Sequence, residues 1–403
     1  MQHGGVMKIT SVDVMMFPSE KPQFSNPCPV ICRVNTDEGI YGYGEAGTTF
    51  FTGSGAVAEL IRDMSKMILG MNPLYNEVIW KHLFDNSYWT KSNGPIVIAA
   101  LSALDTALWD IKGKAYNKPV YELLGGKFND KLRCYASQLQ FGFMECAGLK
   151  FSYDDYYEVT AYAKSLGYDA VKTDPMVCGR NKGEMFATKN ETFGYFRHDL
   201  ISMIDERMKA TREALGPDGD IIIEMHSTTN LQTAAQVAKA VEKYDIMYME
   251  EAIEPLVPEA TAKLSEMTSI PLTGGERSCL RAGFLPYFTQ RSLAMIQPDM
   301  GICGGMTEMK KIADMAYSYD IGVQAHVCGS PISVAAGVQL EAAIPNFTIH
   351  ETHGTSLAPA MLAMGVYQDF VPVNGYITVP DRPGIGQELS EEALQKAVTF
   401  TVK

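Results

Sequence analysis

Glu224, Glu250 and Glu276 are evenly spaced: the interval from the first to the second equals that from the second to the third, and each follows an apolar run. That interval matches one strand-plus-helix unit, so the three carboxylates are expected on neighbouring strands. Carboxylates brought so close repel unless a hard cation neutralises them, and Mg²⁺ suits an all-oxygen site that leaves positions for water or substrate. Of Glu250 and Glu251, the spacing favours Glu250 as the ligand. A second constellation pairs Asp299, at the end of IQPD, with His326, at the end of QAH. A carboxylate beside an imidazole fixes its tautomer and raises its basicity, which suits a general base near neutral pH.

Both sets belong to a longer series. Ionisable residues follow seven successive apolar runs: Lys172 and Asp174, Glu224 and His226, Glu250 and Glu251, Glu276 and Arg277, Asp299, His326, and Glu351 with His353. A merely solvated rim would not place charge so regularly. Catalytic side chains of parallel barrels gather where strands end, so the series marks an active site. The runs themselves fall at 133–136, 170–173, 220–225, 246–250, 270–275, 293–297, 322–325 and 347–350, mostly separated by helical patterns such as 231–244 and 305–319. Eight β/α repeats are the count of a barrel.

The stretch before them is organised differently. Strand-like runs at 8–17, 29–35 and 40–44, with the Asp37-Glu38-Gly39 turn, predict an antiparallel meander. Helical pattern follows at 56–69, 76–84 and 95–114, with Gly113 as the expected stop of the last helix. This is an α+β domain over 1–127. The barrel then occupies 128–370, and a turn-rich tail, 371–403, is expected to fold back over the first domain.

A length of 403 residues suits a barrel of roughly 250 residues plus a second domain. The net charge of −13 disfavours nucleic acid as a partner. It does not exclude an anionic substrate, since a bound cation inverts the local field. Eight cysteines without paired spacing argue for reduced thiols rather than disulfides or structural zinc. No signal peptide or membrane span is recognised, and a cytoplasmic protein is expected.

The motifs carry a specific resemblance. The run IAALSALDTALWDIKGKAYNKPVYELLGG, then MEEAIEP, GGER, QPDMGICGG and Glu351, resemble in order the enolase superfamily and its mandelate racemase subgroup. The resemblance implies an α/β fold: a (β/α)7β barrel with an N-terminal α+β capping domain, one Mg²⁺ and a homo-oligomer. It implies Glu224, Glu250 and Glu276 as metal ligands, His326 as base, Asp299 as its partner, and Glu351 as the residue that meets a substrate carboxylate. In that chemistry the metal binds the carboxylate and stabilises the enediolate left by loss of the α-proton. Lys172 joins the catalytic set, and Lys172, Asp174, Glu351 and Arg180 the substrate-binding set.

Two departures stand out. The first ligand position, usually Asp in the family, is Glu224 here, and the second strand reads Lys172-Thr173-Asp174, which lacks the second lysine base of racemases. His226, two residues beyond Glu224, is expected on the same strand face and resembles the acid that expels a 3-hydroxyl in acid-sugar dehydratases. Dehydration of an aldonate or aldarate to a 2-keto-3-deoxy acid is therefore the leading expectation. A cycloisomerase or epimerase is the rival within the class, and a non-catalytic binding protein on a decayed barrel the rival outside it. Specificity is expected from 19–29, 47–54 and the polar segment 178–199, where Arg180, Lys182, Tyr195 and Arg197 could meet hydroxyls or a distal carboxylate. The last segment reads as a substrate lid, an oligomer contact or a plain insertion.

Overall fold

Apolar and polar residues alternate early in the chain, and three antiparallel strands result: β1 (Ile9–Met16), β2 (Val30–Thr36) and β3 (Tyr41–Ala46). The structure, a computed structural model, describes residues 6–17, 27–48, 52–177, 179 and 193–403. Helices α1 (Ser54–Ile68), α2 (Asn76–Asn86) and α3 (Pro95–Tyr116) follow the meander. α3 is apolar on nearly every side because it is buried on nearly every side, between β3 and the barrel helix Gly305–Ser318.

Gly113 does not end α3. The helix runs through it and stops at Asn117, whose left-handed backbone (φ 51°) caps the last turn. Gly113 serves close approach instead: a Cβ there would lie 2.5 Å from the Cα of Gly384.

The barrel begins with β4 (Lys131–Ser137) and a small hairpin, β5 (Gly142–Phe143) with β6 (Cys146–Ala147). It continues through β7 (Ala170–Thr173), β8 (Asp220–Glu224), β9 (Ile246–Glu250), β10 (Leu272–Gly274), β11 (Met295–Ile296), β12 (Gly322–Val323) and β13 (His350–His353). Parallel pairing runs in the order β12-β11-β10-β9-β8-β7-β4-β13, and a bridge from Val323 to Phe347 closes the ring. The expected α/β barrel with an antiparallel N-terminal part is what the chain forms.

The last barrel strand differs in register from the expected 347–350. His350 points outward to Glu341 of the helix Pro331–Ala342, and 350–353 pair with Cys134, Tyr135, Ala136 and Ser137 of β4. Glu351 and His353 therefore lie within the strand, on its inward face. The tail first adds β14 (Tyr376–Thr378) antiparallel to β4, then returns to the meander as β15 (Val398–Val402) beside β1. Among the described residues, no helix is long and apolar enough to cross a membrane.

Alanine has the higher helix propensity, yet Gly113→Ala is expected to destabilise the protein by about 1–3 kcal/mol, because overpacking against Gly384 outweighs the backbone gain. Equilibrium denaturation checks this; an unchanged or raised midpoint would contradict the packing account.

Candidate active site

At the C-terminal mouth of the barrel, strand ends converge on one buried cluster. Lys172 of β7 is fully buried, and its Nζ lies 3.0 Å from Glu224 Oε2, 2.9 Å from Glu351 Oε1, and within hydrogen-bond reach of Glu250 Oε1. Those carboxylates outweigh the effect of burial and hold the ammonium well above its usual range, so it stays charged. Glu351 is tied further, accepting from Ser137 Oγ at 2.6 Å and from the Val327 backbone N–H at 3.1 Å.

One oxygen from each of Glu224, Glu250 and Glu276 lies within 4.8 Å of the others. Glu250 Oε2 and Glu224 Oε2 are both buried without a hydrogen-bond donor, although the Lys172 ammonium lies 3.0 Å from the latter. Burial and the Glu224 charge push the Glu250 carboxyl well up, with the Lys172 ammonium opposing them. Two orphaned buried carboxylate oxygens and a third nearby make a donor set that fits a hard divalent cation. Glu250 is the member of its pair that points into the cluster. Glu251, at φ 46°, turns away to accept from the Gly275 N–H and from Arg277 Nη1, which also bridges to Glu276 Oε1 at 2.6 Å.

The extra methylene of Glu224 does not remove it from the trio. Its carboxylate folds back so that Oε1 accepts from the N–H groups of Met225 and His226, at 3.2 and 3.0 Å, while Oε2 remains in the cluster.

Two imidazoles flank the trio. His326 Nδ1 meets Asp299 Oδ2 at 2.6 Å, and Asp299 Oδ1 accepts from the Gly301 N–H at 2.7 Å. His326 Nε2 faces Glu276 Oε2 at 3.6 Å and Glu351 Oε2 at 4.0 Å. Burial alone would lower His326, but Glu276, Asp299 and Glu351 outweigh it and hold the ring up at about 10. His226 Nδ1 meets Asp174 Oδ2 at 2.6 Å, and Glu224, Asp174 and Glu276 overcome burial to hold it up at about 9. His226 follows β8 and His326 follows β12, four strands apart in an eight-strand ring, so they face each other across the mouth.

The strand alternation expected for His226 does not hold. β8 ends at Glu224, and His226 and Ser227 adopt left-handed backbone, φ 45° and 56°, so the turn and not the pleat aims the ring. Asp174 is not available to a substrate as expected. It is 1% exposed, with Oδ1 accepting from the N–H groups of Met176 and Val177 and Oδ2 committed to His226. Tyr195 is exposed, and Arg197 pairs on the surface with Asp199 at 2.8 Å. Arg180 and Lys182 lie outside the described residues.

The end of β4 contributes residues that no charge flagged. The Asp174 backbone N–H donates to Gln140 Oε1 at 3.0 Å, Gln140 Nε2 donates to Gln138 Oε1, and Gln138 Nε2 sits 3.3 Å from His226 Nε2. Gln138 also has left-handed backbone, φ 64°. The polar run SQLQ straight after an apolar strand was the available signal. His353 lies beside them, accepting from the Thr355 N–H through Nδ1 at 3.2 Å. Burial, with Lys172, His326 and His226 nearby, pushes it down to about 3 and keeps it neutral.

A barrel whose mouth holds a cation-ready carboxylate trio, beneath an antiparallel N-terminal part, defines the enolase superfamily class. Residues 157–393 match the family model for the enolase C-terminal domain-like fold, and residues 23–125 that for the mandelate racemase / muconate lactonizing enzyme N-terminal domain; the chain belongs to this family. It is 30% identical to a D-xylonate dehydratase of Haloferax volcanii, over 97% of this chain and 90% of that one. It is 29% identical to a D-galactonate dehydratase of Pectobacterium atrosepticum, over 96% and 93%. A crystal structure of an enolase superfamily member from Salmonella Typhimurium superposes with a TM-score of 0.94 at 43% identity, covering 98% of this chain and 100% of that one.

A divalent cation entering the trio offsets the carboxylates that hold His226 and His326 up, so both rings lose protons more readily. Cation binding at about pH 8 is expected to release protons, seen as calorimetric heats that depend on buffer ionisation enthalpy. Proton uptake, or heats independent of the buffer, would contradict this electrostatic picture.

Proposed function

We propose that the chain is a Mg²⁺-dependent sugar-acid dehydratase that converts an aldonate or aldarate to a 2-keto-3-deoxy acid. The observation that carries the proposal is the pair of Asp–imidazole contacts, Asp299–His326 and Asp174–His226, on opposite sides of one buried carboxylate trio. The relatives named as D-xylonate and D-galactonate dehydratases support the substrate class.

Glu224, Glu250 and Glu276 would hold the metal, which when bound supplies positive charge against the negative charge developing on the substrate carboxylate. Asp299 keeps the His326 proton on Nδ1, so Nε2 receives the proton from C2. The electron pair left at C2 forms the C2–C3 double bond as the C3–O bond breaks. His226, steadied through Nδ1 by Asp174, delivers its proton to the departing hydroxyl, which leaves as water. The resulting enol tautomerises to the ketone. Lys172 and Glu351, paired at 2.9 Å, would lie next to the substrate carboxylate, where the ammonium would limit repulsion between that anion and the glutamates. A cluster in which every carboxylate is hydrogen-bonded or ion-paired, with the imidazoles opposed, argues against a decayed site.

Proton NMR in D₂O with Mg²⁺ and a panel of aldonates and aldarates tests the proposal. Loss of one sugar acid with growth of a 2-keto-3-deoxy acid is expected. His226→Asn should lower elimination about 100-fold or more while deuterium still enters at C2. Full dehydration by this variant would remove His226 from the acid role, and deuterium entry without water loss in the wild type would indicate an epimerase.

A further inference from the structure

β3 of the N-terminal part ends against the two barrel loops that carry Asp299 and His326. Glu45, 4% exposed, accepts from the backbone N–H of Ser330 at 3.1 Å and from the Ser330 hydroxyl, in the segment leaving His326. Gly47 donates its backbone N–H to Gly301 O at 2.9 Å, in the loop leaving Asp299. The seam is tight on both sides. A Cβ on Gly47 would stand 2.8 Å from Asp299 Oδ1, one on Gly301 2.4 Å from Gly47 N, and one on Gly329 2.8 Å from Glu45 Oε1. Gly47 has no positive φ, so glycine is needed there for space and not for backbone freedom. A methyl added at 47 would strike Ile302 Cγ1, at 2.6 Å, and also Asp299 Oδ1, which belongs to the carboxylate whose other oxygen orients His326.

We propose that Glu45 and Gly47 are positioning residues for the α-proton step, clamping the loops on either side of the Asp299–His326 pair. The inference rests on His326 being the base. It assigns the N-terminal part a share in catalysis beyond covering the substrate: β3 forms the wall that fixes the orientation of the base. A cover alone would alter substrate binding. A clamp alters the reacting geometry, where a misplacement of about 1 Å can cost on the order of 100-fold in rate.

The test compares Glu45→Ala, Glu45→Gln and Gly47→Ala with Lys311→Ala, which breaks a different contact between the same two parts, the 2.7 Å Lys311–Glu77 ion pair. Hydrogen–deuterium exchange by mass spectrometry needs no substrate. Faster exchange at 299–304 and 324–332 is expected in Glu45→Ala and Gly47→Ala, and no change there in Lys311→Ala. With Mg²⁺ and a sugar acid in D₂O, the kcat for C2 exchange should fall about 10- to 100-fold while KM stays within about twofold. Glu45→Gln, which keeps an acceptor for the Ser330 N–H, should fall between Glu45→Ala and wild type. Unaltered exchange in both segments, or a raised KM with kcat unchanged, overturns the clamp. Should Glu45→Ala not fold, Gly47→Ala and Glu45→Gln carry the same comparison. If the wild type exchanges no sugar acid, the proposed function fails, while the mass-spectrometric comparison still decides the clamp.

Discussion

The mouth of this barrel concentrates negative charge in a place where water cannot screen it. Glu224, Glu250 and Glu351 are essentially fully buried around Lys172, and Glu276 stands beside them. Removing such charges from water costs several kcal/mol per ion, and a single ammonium cannot offset four carboxylates. The surrounding features answer that constraint. Arg277 draws on Glu276 and Glu251, Ser137 and the Val327 amide satisfy Glu351, and the amides of 225 and 226 hold one oxygen of Glu224. The oxygens left over belong to two members of the trio that a cation would join. The same field raises both imidazoles, so their protonation is coupled to the charge of the trio.

The barrel turns this charge into a directed site by separating tasks around the ring. β8, β9 and the end of β10 bring the three glutamates together, β7 and β13 bring Lys172 and Glu351 against each other, and the ends of β8 and β12 set the imidazoles opposite each other. Each imidazole has its own aspartate, and each aspartate is fixed by backbone amides, Met176 and Val177 for Asp174 and Gly301 for Asp299. Side chains held this way need little reorganisation when charge moves, which is where electrostatic catalysis gains most.

Much of this was legible from spacing. The equal intervals among Glu224, Glu250 and Glu276 reflect the repeat of the β/α unit, and a repeat that regular survives without any knowledge of packing. What escaped the sequence depends on backbone torsion or distant packing. His226 reaches the site through left-handed residues that strand alternation cannot anticipate, and Gln138 by a similar turn. Asp174 read as a free carboxylate because its amide and imidazole partners are set by tertiary structure. Gly113 read as a helix stop because Gly384, its reason for being glycine, lies far along the chain. The last barrel strand was displaced because the apolar run before Glu351 looks like the strand itself, whereas the outward His350–Glu341 pair sets the register.

The most direct check of the central claim, that the trio is built for a divalent cation, is anomalous diffraction from a crystal grown with Mn²⁺ in place of Mg²⁺. An anomalous peak bonded to one oxygen each from Glu224, Glu250 and Glu276 is the predicted result. An ion bound elsewhere, or bound to Glu250 and Glu276 with Glu224 still folded onto the 225 and 226 amides and contributing no oxygen, would contradict it.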